Sequence, residues 1–90
     1  MPVRAQVTIS GRVQGVGFRH NTRQEAGKQE LTGWVRNNPD GTVEAVFEGE
    51  ESAVKEMLRW CQQGPRTARV DAVRVLWQPA DSEFSVFEIR

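Results

Sequence analysis

The sequence predicts an α+β domain of the ferredoxin-like kind. This is a βαββαβ two-layer sandwich with a mainly antiparallel sheet and two helices on one face. Three observations lead there. Residues 3–13 alternate apolar and polar, residues 18–28 and the stretch up to Gly64 switch to helical spacing, and two strand-like runs between them flank a four-residue turn signal.

The first strand is the clearest element. Val3, Ala5, Val7, Ile9, Gly11 and Val13 fall on one face, and Arg4, Gln6, Thr8, Ser10, Arg12 and Gln14 on the other. Period two with β-branched apolar positions describes a strand with one face buried and one wet. After Gly15-Val16-Gly17 the spacing becomes four, with Phe18, Thr22 and Ala26 on one stripe and Gly27 near the end of a short helix. Residues 31–37 form the second strand, with Leu31, Gly33, Val35 and Asn37 on one face and Thr32, Trp34 and Arg36 on the other. Asn38-Pro39-Asp40-Gly41 turns the chain, and Val43, Ala45 and Phe47 share one face of a third strand over 42–48. A second helix begins within 49–52, where Glu50 and Glu51 suit the positive end of the helix dipole. Val54, Met57, Leu58 and Cys61 stand at i, i+3, i+4 and i+7, and Gly64-Pro65 stops the helix. Val73, Val75 and Trp77 mark a fourth strand over 69–78, and residues 84–89 a short terminal one.

Ninety residues make one domain, 1–90, the expectation. A chain this short buries only about 60–65% of its unfolded surface, so any catalysis has to use few residues. Twelve Lys and Arg balance twelve Asp and Glu, which argues against bulk electrostatic binding to nucleic acid or membrane. A local cluster of positive charge remains open. Cys61 is the only cysteine and suits a reducing cytoplasm. Residues 1–6 lack the apolar stretch of a signal peptide, and no apolar run approaches the ~20 residues of a membrane helix.

The segment Gln14-Gly15-Val16-Gly17-Phe18-Arg19 departs from packing logic. Two glycines let successive N–H groups curl around one concavity, and a helix start adds unpaired N–H groups and a positive dipole end. Such a place favours phosphate or carboxylate, and a guanidinium at Arg19 can reach the same anion with two parallel hydrogen bonds. A tight strand–helix turn with a surface arginine fits the segment equally. No Gly-Lys-Ser/Thr follows the glycines, and His20 stands where a dinucleotide loop has its third glycine. A cysteine-phosphatase loop would put Cys where Val13 stands, and Cys61 lies on the apolar stripe of the second helix. No acidic or histidine cluster has metal-ligand spacing, so no cofactor and no metal are expected. A phosphate held there would meet only water as nucleophile and would need a leaving group that departs unaided. A carboxylate can do so and an alkoxide cannot, which selects acyl phosphates.

The segment Gly11-Arg12-Val13-Gln14-Gly15-Val16-Gly17-Phe18-Arg19, together with Gly33-Trp34-Val35-Arg36-Asn37, resembles the acylphosphatase family. Asp40-Gly41, Val43-Glu44, Gly49, Gly64-Pro65 and the terminal Phe87, Ile89 and Arg90 agree as well, in order and over nearly the whole chain. The resemblance implies an acylphosphatase-like domain and a metal-independent acylphosphate phosphohydrolase. It implies that the backbone amides of Gly15, Val16, Gly17, Phe18 and Arg19, with the Arg19 side chain, bind the phosphate. It also implies that Asn37 orients the attacking water, with Arg19 and Asn37 as the catalytic pair. Inorganic phosphate would be product and competitive ligand, and the expected partner is a small acyl phosphate rather than nucleic acid or membrane. Glu30-Leu31 replaces the family's usual Gly-Leu, Asn38 replaces a small residue, and His20 directly follows the arginine.

Alternative readings carry different expectations. A phospho-ligand module without catalysis needs Arg19 and the loop but no water-positioning amide. A regulatory or carbamoyl-phosphate-handling domain detached from a larger protein is a third reading, against which Met1 favours a stand-alone chain; small size with no large apolar stripe left over favours a monomer, and the lone cysteine a cytoplasmic one. RNA binding through the sheet ranks last, because Gln6, Thr8 and Ser10 occupy the wet face of the first strand. His20 reads as an exposed helix residue or as a charge tuning phosphate binding; Arg66 and Arg69 read as solvated, and Trp34, Trp60 and Trp77 as packing residues.

Overall fold

The computed structural model describes all residues from Met1 to Arg90. Its elements are β1 (Pro2–Arg12), α1 (Phe18–Lys28), β2 (Thr32–Asn37), β3 (Val43–Glu50), α2 (Glu51–Gln63), β4 (Arg69–Gln78) and β5 (Phe87–Ile89). The strands form one sheet in the order β4-β1-β3-β2-β5. β1 lies antiparallel between β3 and β4, β2 antiparallel to β3, and β5 parallel to β2.

The alternation of β1 sets the core. Ala5, Val7 and Ile9 are fully buried beside Phe47, Ala45 and Val43 of β3, their register partners. The helices lay Phe18, Thr22 and Ala26 of α1 and Val54, Met57 and Cys61 of α2 against that face. Burial pushes the Cys61 thiol up to about 12, so it is a packing group. Phe18 meets Trp60 with ring centroids 5.6 Å apart, tying the start of α1 to α2. No helix is long and apolar enough to cross a membrane.

Two expectations are corrected. Several ends move by a residue or two; β3 runs on to Glu50, and α2 begins at Glu51 without an intervening loop. The larger correction concerns the face of the sheet away from the helices, which is not simply wet. β4 and β5 occupy opposite edges, so residues 79–86 must cross the sheet, and they pass over this face. The Glu48 carboxylate accepts from the N–H groups of Asp81 (2.7 Å) and Ser82 (3.3 Å). Arg4 pairs with Asp81 and Glu83 and stacks 4.8 Å from the Phe84 ring. Glu48, Val46 and Trp34 are buried beneath this cover. Phe84 is used here, which is why β5 starts only at Phe87.

The end of β1 aims the next segment. Register with β4 shifts between Ser10 and Gly11, where Asp71 is an extra residue on β4. Such a bulge bends the strand end, here immediately before the loop that follows.

Candidate active site

The loop between β1 and α1 has an unusual division of its backbone polar groups. Gly15 and Gly17 take φ of 75° and 79°, a conformation that side chains disfavour. None of the N–H groups of Gly15, Val16, Gly17, Phe18 and Arg19 donates to an acceptor in the chain. Three of the carbonyls, by contrast, accept from side chains. Val16 accepts from the Thr67 hydroxyl at 2.6 Å, Gly17 from the Asn21 side-chain amide at 2.8 Å, and Phe18 from the Thr22 hydroxyl at 2.7 Å. Gly17 caps α1 without a side-chain partner, and no acid sits in the first turn. The positive end of the helix is therefore uncompensated.

A cavity of about 200 Å³ opens beside this loop. Gly15, Gly17, Phe18 and Arg19 line it from the loop, and Asn37 lines it from the end of β2. Val13 and Phe18 make a buried apolar floor, and His20 and Ile89 stand at the more exposed rim. No carboxylate lines the cavity, and Arg19 takes part in none of the chain's ion pairs. The Asn37 Oδ1 is buried and receives no hydrogen bond. A buried amide oxygen without a donor costs about 1–3 kcal/mol, so such a group marks a place where a guest completes the hydrogen bonding.

Most of the residues singled out in the sequence meet here. Gly15, Gly17, Phe18, Arg19 and Asn37 share the cavity. Val16 does not line it: its side chain packs against the core and its carbonyl is held by Thr67, although its N–H is as free as its neighbours'. His20 is exposed, as a helix residue should be, and still borders the cavity. Val13 and Ile89 also line the cavity, and the sequence does not mark either for it. Val13 reads as core from its alternation, and Ile89 arrives only because β5 pairs in parallel with β2, placing Ile89 opposite Val35. Behind Asn37, the turn is shaped by Asp40, whose Oδ1 accepts from both the N–H (3.0 Å) and the hydroxyl (2.7 Å) of Thr42. These bonds hold the Asp40 carboxyl below the usual carboxylate range. No three His, Cys, Asp or Glu side chains come together as a metal site.

The chain is similar to known proteins over nearly its full length. A family model described as Acylphosphatase matches residues 5–89. The acylphosphatase of Rubrobacter xylanophilus is 55% identical over 87 residues, covering 97% of this chain and 79% of that protein. The crystal structure of acylphosphatase from Bacillus subtilis superposes with a TM-score of 0.94 at 34% identity, covering 98% of each chain. The HypF protein of T. kodakarensis contains a similar unit, with a TM-score of 0.85 at 27% identity, which covers 98% of this chain and 12% of that one.

Proposed function

The chain belongs to the acylphosphatase family, and on that premise we propose that it hydrolyses acyl phosphates to a carboxylate and inorganic phosphate in the cavity between the 15–19 loop and Asn37. The observation that carries this reading is the meeting of three features in one cavity. These are the unengaged N–H groups of the loop, four of them on residues that line the cavity, a guanidinium with no acidic partner, and the side chain of Asn37, whose amide oxygen has no donor.

The phosphoryl group of the substrate carries its charge on three oxygens. The free amides of Gly15 to Arg19 and the Arg19 guanidinium supply donors to those oxygens, and donors converging on the phosphoryl group stabilise its charge as it redistributes. Water donates to the Asn37 Oδ1 and presents a lone pair to phosphorus. As the new P–O bond forms, the P–O bond to the acyl oxygen breaks and its electron pair leaves on the carboxylate. The proton of the water leaves with the phosphate. A carboxylate needs no protonation to depart, so the absence of an acid from the cavity lining suits this substrate. The reading also takes the protein as a cytoplasmic monomer with inorganic phosphate as competitive ligand; its one thiol is buried and unpaired.

Benzoyl phosphate set beside a phosphate monoester tests the proposal. Hydrolysis of the acyl phosphate alone, unaffected by EDTA, is the expected result. Turnover of the monoester, or loss of activity with EDTA that Mg²⁺ restores, would contradict it.

A further inference from the structure

Gln14 lies at the base of the loop, one residue before the first free amide, and does not line the cavity. Its side-chain amide nevertheless spans to the far side of the site. Nε2 donates to the main-chain carbonyl of Asn38 at 2.7 Å and to that of Thr42 at 2.9 Å, 24 and 28 residues away. These two carbonyls are the ones that close the turn behind Asn37: the Asn38 N–H donates to the Thr42 carbonyl at 2.8 Å, and the Gly41 N–H to the Asn38 carbonyl at 3.2 Å. The Asn38 side chain adds a bond to the Thr42 hydroxyl at 3.0 Å. One half-buried side chain therefore joins the two backbone segments that carry the two halves of the site.

We infer that Gln14 is a positioning residue for Asn37: it holds the turn that carries Asn37 at a fixed distance from the phosphate loop. The inference rests on the reading of Asn37 as the water-orienting group. The geometry separates two roles. The free amides of 15–19 are backbone groups whose conformation is set by Gly15, Gly17 and the carbonyl partners already described, none of which is Gln14. The turn has no other side chain reaching it from the loop. Loss of the Gln14 bonds should therefore shift the water-holding side and spare phosphate binding. A displacement near 1 Å between reacting groups can cost on the order of 100-fold in rate.

The test is a double-mutant cycle on the full chain. Gln14→Glu keeps the length and removes both donors, facing a carboxylate to two carbonyls; Gln14→Met keeps the length without charge. Each is made alone and with Asn37→Ala, and kcat for benzoyl phosphate and the competitive constant for inorganic phosphate are measured. In the Asn37 background we expect kcat to fall roughly 10- to 100-fold, with the phosphate constant within about threefold. In the Asn37→Ala background the same substitutions should cost less than about twofold more. Equal losses in both backgrounds, a phosphate constant that moves in step with kcat, or unchanged kcat in both Gln14 variants would overturn the inference. Full activity of Asn37→Ala by itself removes instead the water-holding reading on which it stands. Thermal unfolding of each variant checks the fold, and Gln14→Met remains informative should Gln14→Glu fold poorly.

Discussion

The hydroxyl of Thr67 donates to the main-chain carbonyl of Val16 at 2.6 Å, across 51 residues of sequence. This bond comes from the connection between α2 and β4 and pins the middle of the 15–19 loop from outside the cavity. By holding the carbonyl, it fixes the Val16–Gly17 peptide plane, and with it the direction of the Gly17 N–H. Thr67→Val keeps the shape and removes the donor. Thr67 is exposed, so the fold should lose about 1 kcal/mol or less, while phosphate binding weakens several-fold. Urea unfolding and phosphate inhibition, measured on the same preparation, check the two effects separately.

Arg19 is the one cation of the loop and has no acidic partner to release it from. Arg19→Ala should nearly abolish turnover and strongly weaken inhibition by phosphate. Arg19→Lys keeps the charge but not the planar pair of donors, so it should recover only part of the loss. Full recovery by lysine would show that charge alone suffices.

Glu30 lies just past α1 with φ of 58°. Its N–H bonds to the Gly27 carbonyl and that of Leu31 to the Ala26 carbonyl, the paired bonds of a helix C-terminus that favours glycine. The strain of a left-handed side chain is about 1–2 kcal/mol, part of which glycine returns as entropy of the unfolded chain. Glu30→Gly should therefore raise stability by roughly 0.5–1 kcal/mol, read as a higher urea midpoint with unchanged slope. Activity should stay as it is, because Glu30 does not line the cavity.

The turn behind Asn37 should be sensitive to acid. Hydrogen bonds from the Thr42 hydroxyl and N–H keep the Asp40 carboxyl below its ordinary value. A carboxylate depressed in the folded state binds its proton more readily when unfolded, so its contribution is complete above the unfolded pKa of ~3.9 and is lost as pH falls through the lower, folded value. The stability gap between the protein and Asp40→Ala should be constant at neutral pH and narrow below about pH 4. Unfolding midpoints taken from pH 7 to pH 2 follow it; a gap that widens in acid would reverse the assignment.

Much of this fold was legible in short-range patterns. The alternation of Val3 to Ile9 names the core face of β1, and the stripe Val54, Met57, Cys61 names that of α2. The loop was legible because its glycines and arginine are local features of residues 14–19, whereas Asn37 alone reads as a turn residue and stood out only through the family resemblance. What escaped is non-local. Nothing in the spacing of residues 79–86 says that they cross the open face to Glu48 and Arg4, because that path follows from β4 and β5 lying at opposite edges. Ile89 reaches the cavity through the same parallel pairing. Gln14 reads in sequence as one more polar residue on the wet face of the first strand, and only the fold brings the 38–42 turn within its reach.

In the proposed reaction two side chains divide the work, Arg19 for the phosphate and Asn37 for the water. The direct measurement is Asn37→Ala, with kcat for benzoyl phosphate and the binding constant of inorganic phosphate determined together. The account predicts that kcat falls by about 100-fold or more while phosphate binds within a few-fold of its original strength. Full turnover in this variant, or a loss of phosphate binding as large as the loss of rate, would contradict it.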